Sequence, residues 1–213
     1  MKANLIILAG GNSTRMCHPK GLLDISGEPW LLQQLALIRE VKFELVVLIL
    51  GHNWENYCNE IPQLLDCINK VQKFNEVKLK VSINSTPEKG SFSSLQKGIS
   101  SSLDENSFPA YIKPIDVPMP DLEVWENLNT ALSFENSVII PSYRKRSGHP
   151  VLLSHEFMSS LVKLNPSNPQ SRLDSQIQRL QSSKIVYVEV DDPNITLNLN
   201  TPNQWNNFLK SVN

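Results

Sequence analysis

The sequence has few cysteines, no excess charge of either sign and no long hydrophobic run. Its 213 residues include three cysteines, Cys17, Cys58 and Cys67, an odd number without the paired spacing of a zinc site. This pattern favours reduced thiols in a cytoplasmic protein. Twenty basic and 21 acidic residues leave a net charge of −1, so the composition indicates no general attraction to nucleic acid or to an anionic membrane.

The apolar run near the N-terminus is short. Only residues 5–9 are consecutively apolar before Gly10, which is too few for a signal-peptide core or a membrane span. We therefore expect a cytoplasmic protein without a membrane partner. A hydrophobic content of 40% over this length supports one sizeable core, and we predict a single domain over residues 1–213, present as a monomer or small homo-oligomer.

Apolar runs alternate with helix-like segments along the chain. Residues 5–9 and 45–50 are uninterrupted runs typical of buried parallel strands, and the segment between them carries leucines at helical spacing. Further strands are predicted at 79–83, 111–115, 138–140, 151–153, 185–190 and 197–200. Further helices are predicted at 54–73, with an interruption near Pro62, and at 92–103, 121–132, 156–164, 172–181 and from 202 onward. This alternation predicts an α/β fold, a three-layer α/β/α sandwich around a mostly parallel sheet.

The loop that follows the first strand carries paired glycines and two positive charges. Residues 8–20 read Leu-Ala-Gly-Gly-Asn-Ser-Thr-Arg-Met-Cys-His-Pro-Lys. Backbone N–H groups at such a turn, together with Arg15 and Lys20, suit a phosphate. Pro19 and Asn12 stand where the Walker A and dinucleotide patterns need glycine. On these residues alone, the loop is either a different phosphate cradle or an ordinary glycine turn.

A carboxylate follows a predicted strand in the middle of the chain. Asp116 comes directly after residues 111–115 and before Val-Pro-Met-Pro. Open α/β sheets bind ligands at the carboxyl ends of their strands. Asp116 therefore either contributes to a ligand-binding site or is a capping or turn aspartate before proline.

Five motifs, in order along residues 3–208, resemble those of the MobA-like nucleotidyltransferases, the family that includes the molybdenum-cofactor guanylyl- and cytidylyltransferases. They are Leu8-Ala9-Gly10-Gly11 with Arg15, Met16 and Lys20; Gly90-Ser91-Phe92-Ser93-Ser94-Leu95 with Gly98; Asp116-Val117-Pro118; Gly148-His149-Pro150-Val151; and Asn198-Leu199-Asn200-Thr201-Pro202. The resemblance implies a Rossmann-like nucleotidyltransferase fold, the nucleotide-diphospho-sugar transferase type. It also implies transfer of a nucleotidyl group from a nucleoside triphosphate to a phosphorylated small-molecule acceptor, with release of pyrophosphate.

The resemblance gives roles to residues in these motifs. The implied catalytic pair is Arg15 and Lys20; the nucleotide-binding residues are Leu8, Ala9, Gly10, Gly11, Ser93 and Ser94; the Mg²⁺ ligands are Asp116 and Asn200; and the acceptor-binding residues are Gly148 and His149. An acceptor phosphate is ionised at neutral pH, so such a site must provide positioning and charge cancellation rather than a general base. Mg²⁺ prefers oxygen ligands, but the amide of Asn200 brings no charge.

Several of these residues also have an ordinary structural alternative. Ser93 and Ser94 begin a predicted helix and could simply cap it. His149 could be a structural histidine. The basic run at 144–146 either attracts an acidic acceptor or forms a solvated hairpin face. Cys17 lies within a few residues of both catalytic candidates.

The motifs leave the substrates open. Leu-Ala-Gly-Gly resembles the guanylyl branch, whereas Phe-Ser-Ser-Leu and Gly-His-Pro-Val resemble the cytidylyl branch, so GTP and CTP are both candidates. Molybdopterin is the acceptor that the family name suggests, while related folds act on sugar phosphates and alcohol phosphates. A non-catalytic nucleotide-binding relative is the alternative from another class. A glycosyltransferase is disfavoured, because Asp116-Val117-Pro118 lacks an Asp-X-Asp metal motif.

Overall fold

The computed structural model describes residues 2–13, 15–16 and 18–212. Its strands are β1 (Asn4–Ala9), β2 (Asp24–Ile25), β3 (Glu28–Pro29), β4 (Val46–Leu50), β5 (Gln72–Phe74), β6 (Val77–Ile83), β7 (Ala110–Pro114), β8 (Val138–Tyr143), β9 (Arg146–Ser147), β10 (Val151–Leu153) and β11 (Ile185–Glu189). Its α-helices are α1 (Trp30–Leu37), α2 (Trp54–Glu60), α3 (Ser91–Leu103), α4 (Leu122–Thr130), α5 (His155–Leu161), α6 (Leu173–Ile177) and α7 (Pro202–Val212).

A nine-stranded sheet organises the fold. Its strand order is β11-β8-β10-β7-β1-β4-β6-β5, and β9 pairs with β8. Parallel ladders join β7, β1, β4 and β6 at the centre and β8 to β11 at one side. The antiparallel ladders, which involve β5, β9 and β10, are shorter. The predicted mostly parallel α/β sheet is confirmed.

Helices cover both faces of this sheet. Leu5 and Ile7 of β1 belong to a core shared with α1, α2, α4 and α7, whereas Ile6 belongs to a core shared with α3 and α5. Successive strand residues point to opposite faces, so one apolar run supplies both cores. This is why the central strands are continuously apolar, and it confirms the predicted three layers.

Two predicted elements differ from the structure. The interruption expected near Pro62 is present, because proline cannot continue the α-helical hydrogen bonds: α2 ends at Glu60 and a 3-10 helix (Pro62–Cys67) follows. The helix predicted over residues 54–73 does not reach residue 73, since β5 begins at Gln72. Residues 197–200 are not a strand, and the backbone N–H of Leu199 donates instead to the Asp116 carbonyl at 2.8 Å. Across the part of the chain that the structure describes, no helix is both long and apolar enough to span a membrane.

Candidate active site

A cleft of about 840 Å³ lies at the carboxyl ends of β1 and β7. Most of the residues predicted for the site line it: Leu8, Ala9, Gly10, Gly11, Arg15, Lys20, Ser94, Asp116 and Asn200. This position follows from the parallel pairing of β1 with β7, which brings the glycine loop and the Asp116 turn to the same edge.

Lys20, Asp116 and Asn200 meet within this cleft. The Lys20 Nζ lies 2.8 Å from Asp116 Oδ2 and 2.5 Å from Asn200 Oδ1. The Lys20 and Asp116 side chains are only 14% and 17% exposed, so solvent screens this pair less than a surface ion pair. Two oxygen atoms from distant parts of the chain therefore converge on one positive charge.

Backbone contacts hold the C-terminal motif against the Asp116 turn. Leu199 is buried and donates its N–H to the Asp116 carbonyl at 2.8 Å. The Asn200 N–H donates to the Gln204 side chain at 2.9 Å, at the start of α7. These bonds flank the Asn200 side chain and fix it beside Lys20.

Buried side chains support the turn that carries Asp116. Lys113, fully buried at the end of β7, donates to the Gln34 side-chain oxygen and to the backbone carbonyls of Pro114 and Val117. The indole of Trp30 and the amide of Gln34 both donate to the Ile115 carbonyl, each at 2.9 Å. With Leu199 on the Asp116 carbonyl, every backbone carbonyl of residues 114–117 accepts a hydrogen bond. The turn that presents Asp116 is therefore preorganised.

Burial changes the pKa of the Lys113 amine that supports this turn. Desolvation lowers the pKa of Lys113 to about 7, although the nearby Asp116 carboxylate acts in the opposite direction. Hydrogen bonds to three oxygen atoms compensate in part for the loss of water around the amine.

The two glycines of the loop differ in what surrounds them. A Cβ on Gly10 would lie 2.8 Å from the Ser94 Oγ, whereas a Cβ on Gly11 would meet nothing within 4 Å. A side chain at Gly10 would therefore have to displace the Ser94 hydroxyl of α3. Gly11 is exposed on the cleft, so the space beside it is open to a ligand.

The two serines of α3 have different surroundings. The Ser94 hydroxyl accepts from the buried Asn84 amide at 3.0 Å and lines the cleft. Ser93 accepts from the same amide at 2.8 Å and donates to the Gly90 carbonyl at 2.7 Å. The Ser93 backbone N–H also donates to Gly90. The structure therefore brings Ser94 to the cleft and keeps Ser93 within the turn at the start of α3.

Gly148 and His149 lie outside the cleft, on an adjoining cavity of about 570 Å³. A Cβ on Gly148 would lie 2.4 Å from the Ile195 carbonyl, so glycine allows the close approach of these two segments. The His149 Nδ1 is buried without a hydrogen-bond partner among the described residues. Burial lowers the pKa of His149, with Lys113 adding to the effect and the Ile112 carbonyl and Asp116 opposing it. The imidazole is neutral at pH 7.

The remaining candidates are more peripheral. Arg15 lines the cleft with its side chain exposed. The basic residues 144–146 form the β8–β9 hairpin, are exposed, and line neither the cleft nor the adjoining cavity. This placement favours the solvated hairpin face. Cys17 lies outside the described residues.

The oxygen donors fit a hard divalent cation. Asp116 offers a carboxylate oxygen and Asn200 an amide oxygen, and both already point at one cationic group. Mg²⁺ commonly takes one or two protein oxygens and completes its shell with water and substrate phosphates. Among the described residues, no three His, Cys, Asp or Glu side chains are grouped as metal ligands.

Sequence reasoning missed several residues that shape the site. Asn84 orients Ser94, Lys113 and Gln34 support the Asp116 turn, and Arg172 lines both the cleft and the adjoining cavity. Lys113 had a detectable signal, because a charged residue interrupts an otherwise apolar predicted strand. Arg172 had none, since it lies at the start of a predicted helix and far in sequence from the motifs.

One comparison with known proteins identifies a family. The family model described as MobA-like NTP transferase domain matches residues 5–184. Comparison with curated proteins gives no significant match.

Solved structures share the fold at low sequence identity. The Rv0371c complex with manganese from Mycobacterium tuberculosis H37Rv has a TM-score of 0.69 at 15% identity, covering 99% of this chain and 100% of that one. A nucleotidyl transferase from Methanothermobacter thermautotroptrophicus, Mth528, has 0.73 at 13%, covering 100% and 99%. The 4-diphosphocytidyl-2C-methyl-D-erythritol synthase from Anaerococcus prevotii has 0.74 at 15%, covering 99% and 95%.

Proposed function

Because the chain belongs to the MobA-like NTP transferase domain family, we propose that it transfers a nucleotidyl group from a nucleoside triphosphate to a phosphorylated acceptor and releases pyrophosphate. The observation that carries this proposal is the convergence of Lys20, Asp116 and Asn200 in the cleft beside the Gly10–Gly11 loop. Cationic and metal-ligating groups are what an in-line displacement between phosphates needs.

The roles of the residues follow from their chemistry. A divalent metal ion such as Mg²⁺, held by Asp116 and Asn200, would cancel charge on the triphosphate; the related Rv0371c is known as a manganese complex. The Lys20 ammonium would bind phosphate oxygens, and the planar guanidinium of Arg15 would bind two of them at once. The acceptor phosphate attacks the α-phosphorus, and the bond from that phosphorus to the pyrophosphate leaving group breaks.

The nucleotide would lie against the loop formed by Leu8, Ala9, Gly10 and Gly11, with Ser94 at the start of α3. The open space at Gly11 supports close approach of the nucleotide to the backbone. CTP and GTP are the two candidate donors. Gly148 and His149 would face the acceptor, and molybdopterin is the first acceptor to test, followed by sugar phosphates and alcohol phosphates.

We place this activity in the cytoplasm. Cys58 and Cys67 are buried free thiols, which suits a reducing compartment. Burial raises the pKa of both thiols, and Asp66 raises that of Cys67 further. Thiols in this state are unreactive, as expected for structural cysteines.

Pyrophosphate release tests the proposal. We expect release from one nucleoside triphosphate with one of these acceptors and Mg²⁺ or Mn²⁺, and a fall of at least about 100-fold in Lys20→Ala, since the lost charge stabilises the transition state. Lys97→Ala, on α3 and away from both cavities, is the matched control. Release by Lys20→Ala at the wild-type rate would refute the assignment of this residue.

A non-catalytic nucleotide-binding protein is the second candidate. One observation favours it: the Lys20 ammonium occupies the position between Asp116 and Asn200, and Asn200 brings no negative charge to compete for a metal. Such a protein would bind a triphosphate yet release no pyrophosphate with any acceptor. The same assay, run beside a binding measurement, separates the two functions.

A further inference from the structure

The cavity that contains His149 adjoins the cleft. The two spaces share five lining residues, Leu8, Ser91, Pro114, Arg172 and Asn198. A molecule whose reacting group lies in the cleft can therefore extend into the second cavity. Its volume, about 570 Å³, is within the usual range of small-molecule sites.

The floor of this cavity is apolar. Phe92, Leu95, Ile112, Ile140 and Val151 line it, and each is at least nine-tenths buried in the protein as a whole. A ligand that reaches this floor must present apolar surface. Hydroxyl groups placed there would lose their hydrogen bonds to water without replacement, which is costly.

Polar side chains lie at the rim. Ser147, Asp174 and Gln178 line the cavity and are exposed. His149 and Thr196 also line the cavity and are half-buried, so they lie deeper than these three side chains. The distribution of polar groups is that of a site with an apolar interior and a few orienting contacts.

Arg172 lies where the two spaces join. Its Nε is 3.2 Å from Asp174 Oδ1, but the two side chains are 66% and 63% exposed. An exposed ion pair of this kind contributes little stability, so the guanidinium can exchange this carboxylate for a phosphate, which it binds with two parallel hydrogen bonds.

From these observations, and resting on the proposed function, we propose that the acceptor is a phosphate monoester with an aromatic or hydrocarbon body rather than a polyhydroxylated one. The body occupies the cavity beside His149, and Arg172 binds the phosphate at the entrance to the cleft. Arg172 is then the residue that directs the acceptor phosphate toward the nucleotide.

Binding of two simple phosphates to the nucleotide-free protein tests the class of acceptor. 1-Naphthyl phosphate has an aromatic body and glycerol 3-phosphate a hydroxylated one. Titration calorimetry should give at least a roughly tenfold tighter dissociation constant for 1-naphthyl phosphate. Equal or tighter binding of glycerol 3-phosphate, or no binding of 1-naphthyl phosphate at millimolar concentration, overturns the proposal.

Variants test where the naphthyl ring and the phosphate bind. Ile177→Ser, at the half-buried wall of the cavity, should remove most of the preference for the naphthyl compound; Leu180→Ser, half-buried on the same segment but outside the cavity, should keep it. Arg172→Ala should weaken the binding of both 1-naphthyl phosphate and glycerol 3-phosphate about tenfold. Arg179→Ala should leave the binding of both unchanged. Circular dichroism checks that each variant is folded. A preference that persists in folded Ile177→Ser places the ring elsewhere and overturns the proposal.

These measurements do not depend on catalysis. Pyrophosphate release is measured separately with a nucleoside triphosphate, as above. If 1-naphthyl phosphate binds as expected and no triphosphate ever releases pyrophosphate, the cavity is correctly described and the transferase function is refuted. If pyrophosphate is released only with hydroxylated phosphates, the function stands and this inference is refuted.

Discussion

The side chains of Lys20, Asp116 and Asn200 meet in the cleft, although the residues lie far apart in the chain. Lys20 and Asn200 are 180 positions apart in the chain, yet their side chains are hydrogen-bonded. The fold itself orders these side chains, because a backbone hydrogen bond joins Leu199, next to Asn200, to Asp116. Charged groups that are already positioned lose little entropy when a substrate arrives.

The two glycines give a prediction in which one serves as the control for the other. Gly11→Ala should change the free energy of unfolding by less than about 0.5 kcal/mol, because the new Cβ meets nothing. It should weaken binding of the preferred triphosphate about tenfold, since the methyl group occupies space beside the nucleotide. Gly10→Ala should instead destabilise by about 1–3 kcal/mol through the clash with Ser94. Denaturant unfolding and calorimetry measure both; unchanged nucleotide binding in Gly11→Ala would contradict the placement of the loop.

Lys113 gives a pH-dependent prediction. Its pKa is about 7 in the folded protein and 10.5 ordinarily, so between these values the unfolded chain binds a proton that the folded protein does not. Stability from this group is therefore complete above pH 10.5 and is lost as the pH falls toward 7. Relative to Lys113→Met, the wild type should gain up to about 1.4 kcal/mol per pH unit between pH 7 and 9.5. The free energy of unfolding of both proteins is measured in urea at each pH. If it changes with pH equally in the two proteins, the pKa of Lys113 is not lowered.

At the scale of elements, α1 supports the Asp116 turn. Trp30 and Gln34 lie one helical turn apart, and both donate to the Ile115 carbonyl. Trp30 is itself packed edge-on against Trp205 and Phe208 of α7. The first and last long helices of the chain are therefore coupled to the turn that carries the candidate metal ligand.

Removing the Gln34 amide should loosen this turn. Gln34→Leu leaves the buried Lys113 amine without one acceptor and should cost about 1–3 kcal/mol in stability, because a buried polar group then lacks a hydrogen-bond partner. Trp30→Phe keeps the aromatic packing and leaves Gln34 on the Ile115 carbonyl, so about 0.5–1.5 kcal/mol is expected. Thermal unfolding of both variants checks that Gln34→Leu loses more stability than Trp30→Phe. A Gln34→Leu protein as stable as the wild type would show that the support is unimportant.

Most elements could be predicted from the sequence, and the failures have local causes. Apolar runs specified β1 and β4, and Phe92, Leu95 and Ile99 share the inward face of α3. The hairpin of β5 and β6 was missed because its turn places Asn75 and Glu76 at positive φ, at 44° and 71°. Glutamate is uncommon in that conformation, so the turn carries no recognisable Asn-Gly signal.

The site was predictable where it lies in motifs and not where it depends on tertiary contacts. The motifs placed Lys20, Asp116 and Asn200 in one site, and the structure brings their side chains together. No spacing rule shows that Ser93 is retained by Gly90 and Asn84 while its neighbour Ser94 reaches the cleft. Similarly, the space shared at Arg172 forms only when this residue is brought near Leu8, at the end of β1, by the tertiary fold.

At the scale of the whole molecule, the parallel centre of the sheet explains where the site lies. β1 and β7 end at the same edge, so the glycine loop and the Asp116 turn face each other across the cleft. The segment that ends in α7 then closes this edge and brings Asn200 to it. The chain belongs to a nucleotidyltransferase family, and the reaction and substrates that we propose for it rest on the side chains of this site.

Metal-dependent binding of a nucleoside triphosphate tests this account most directly. Calorimetric titration of the wild type with GTP and CTP should show binding of one of them that is at least about tenfold tighter with Mg²⁺ or Mn²⁺ than with a chelator. Asp116→Asn, which keeps the size of the side chain, should abolish that difference, while Asp104→Asn at the end of α3 should preserve it. Triphosphate binding in Asp116→Asn that still depends on the metal as in the wild type would contradict the account.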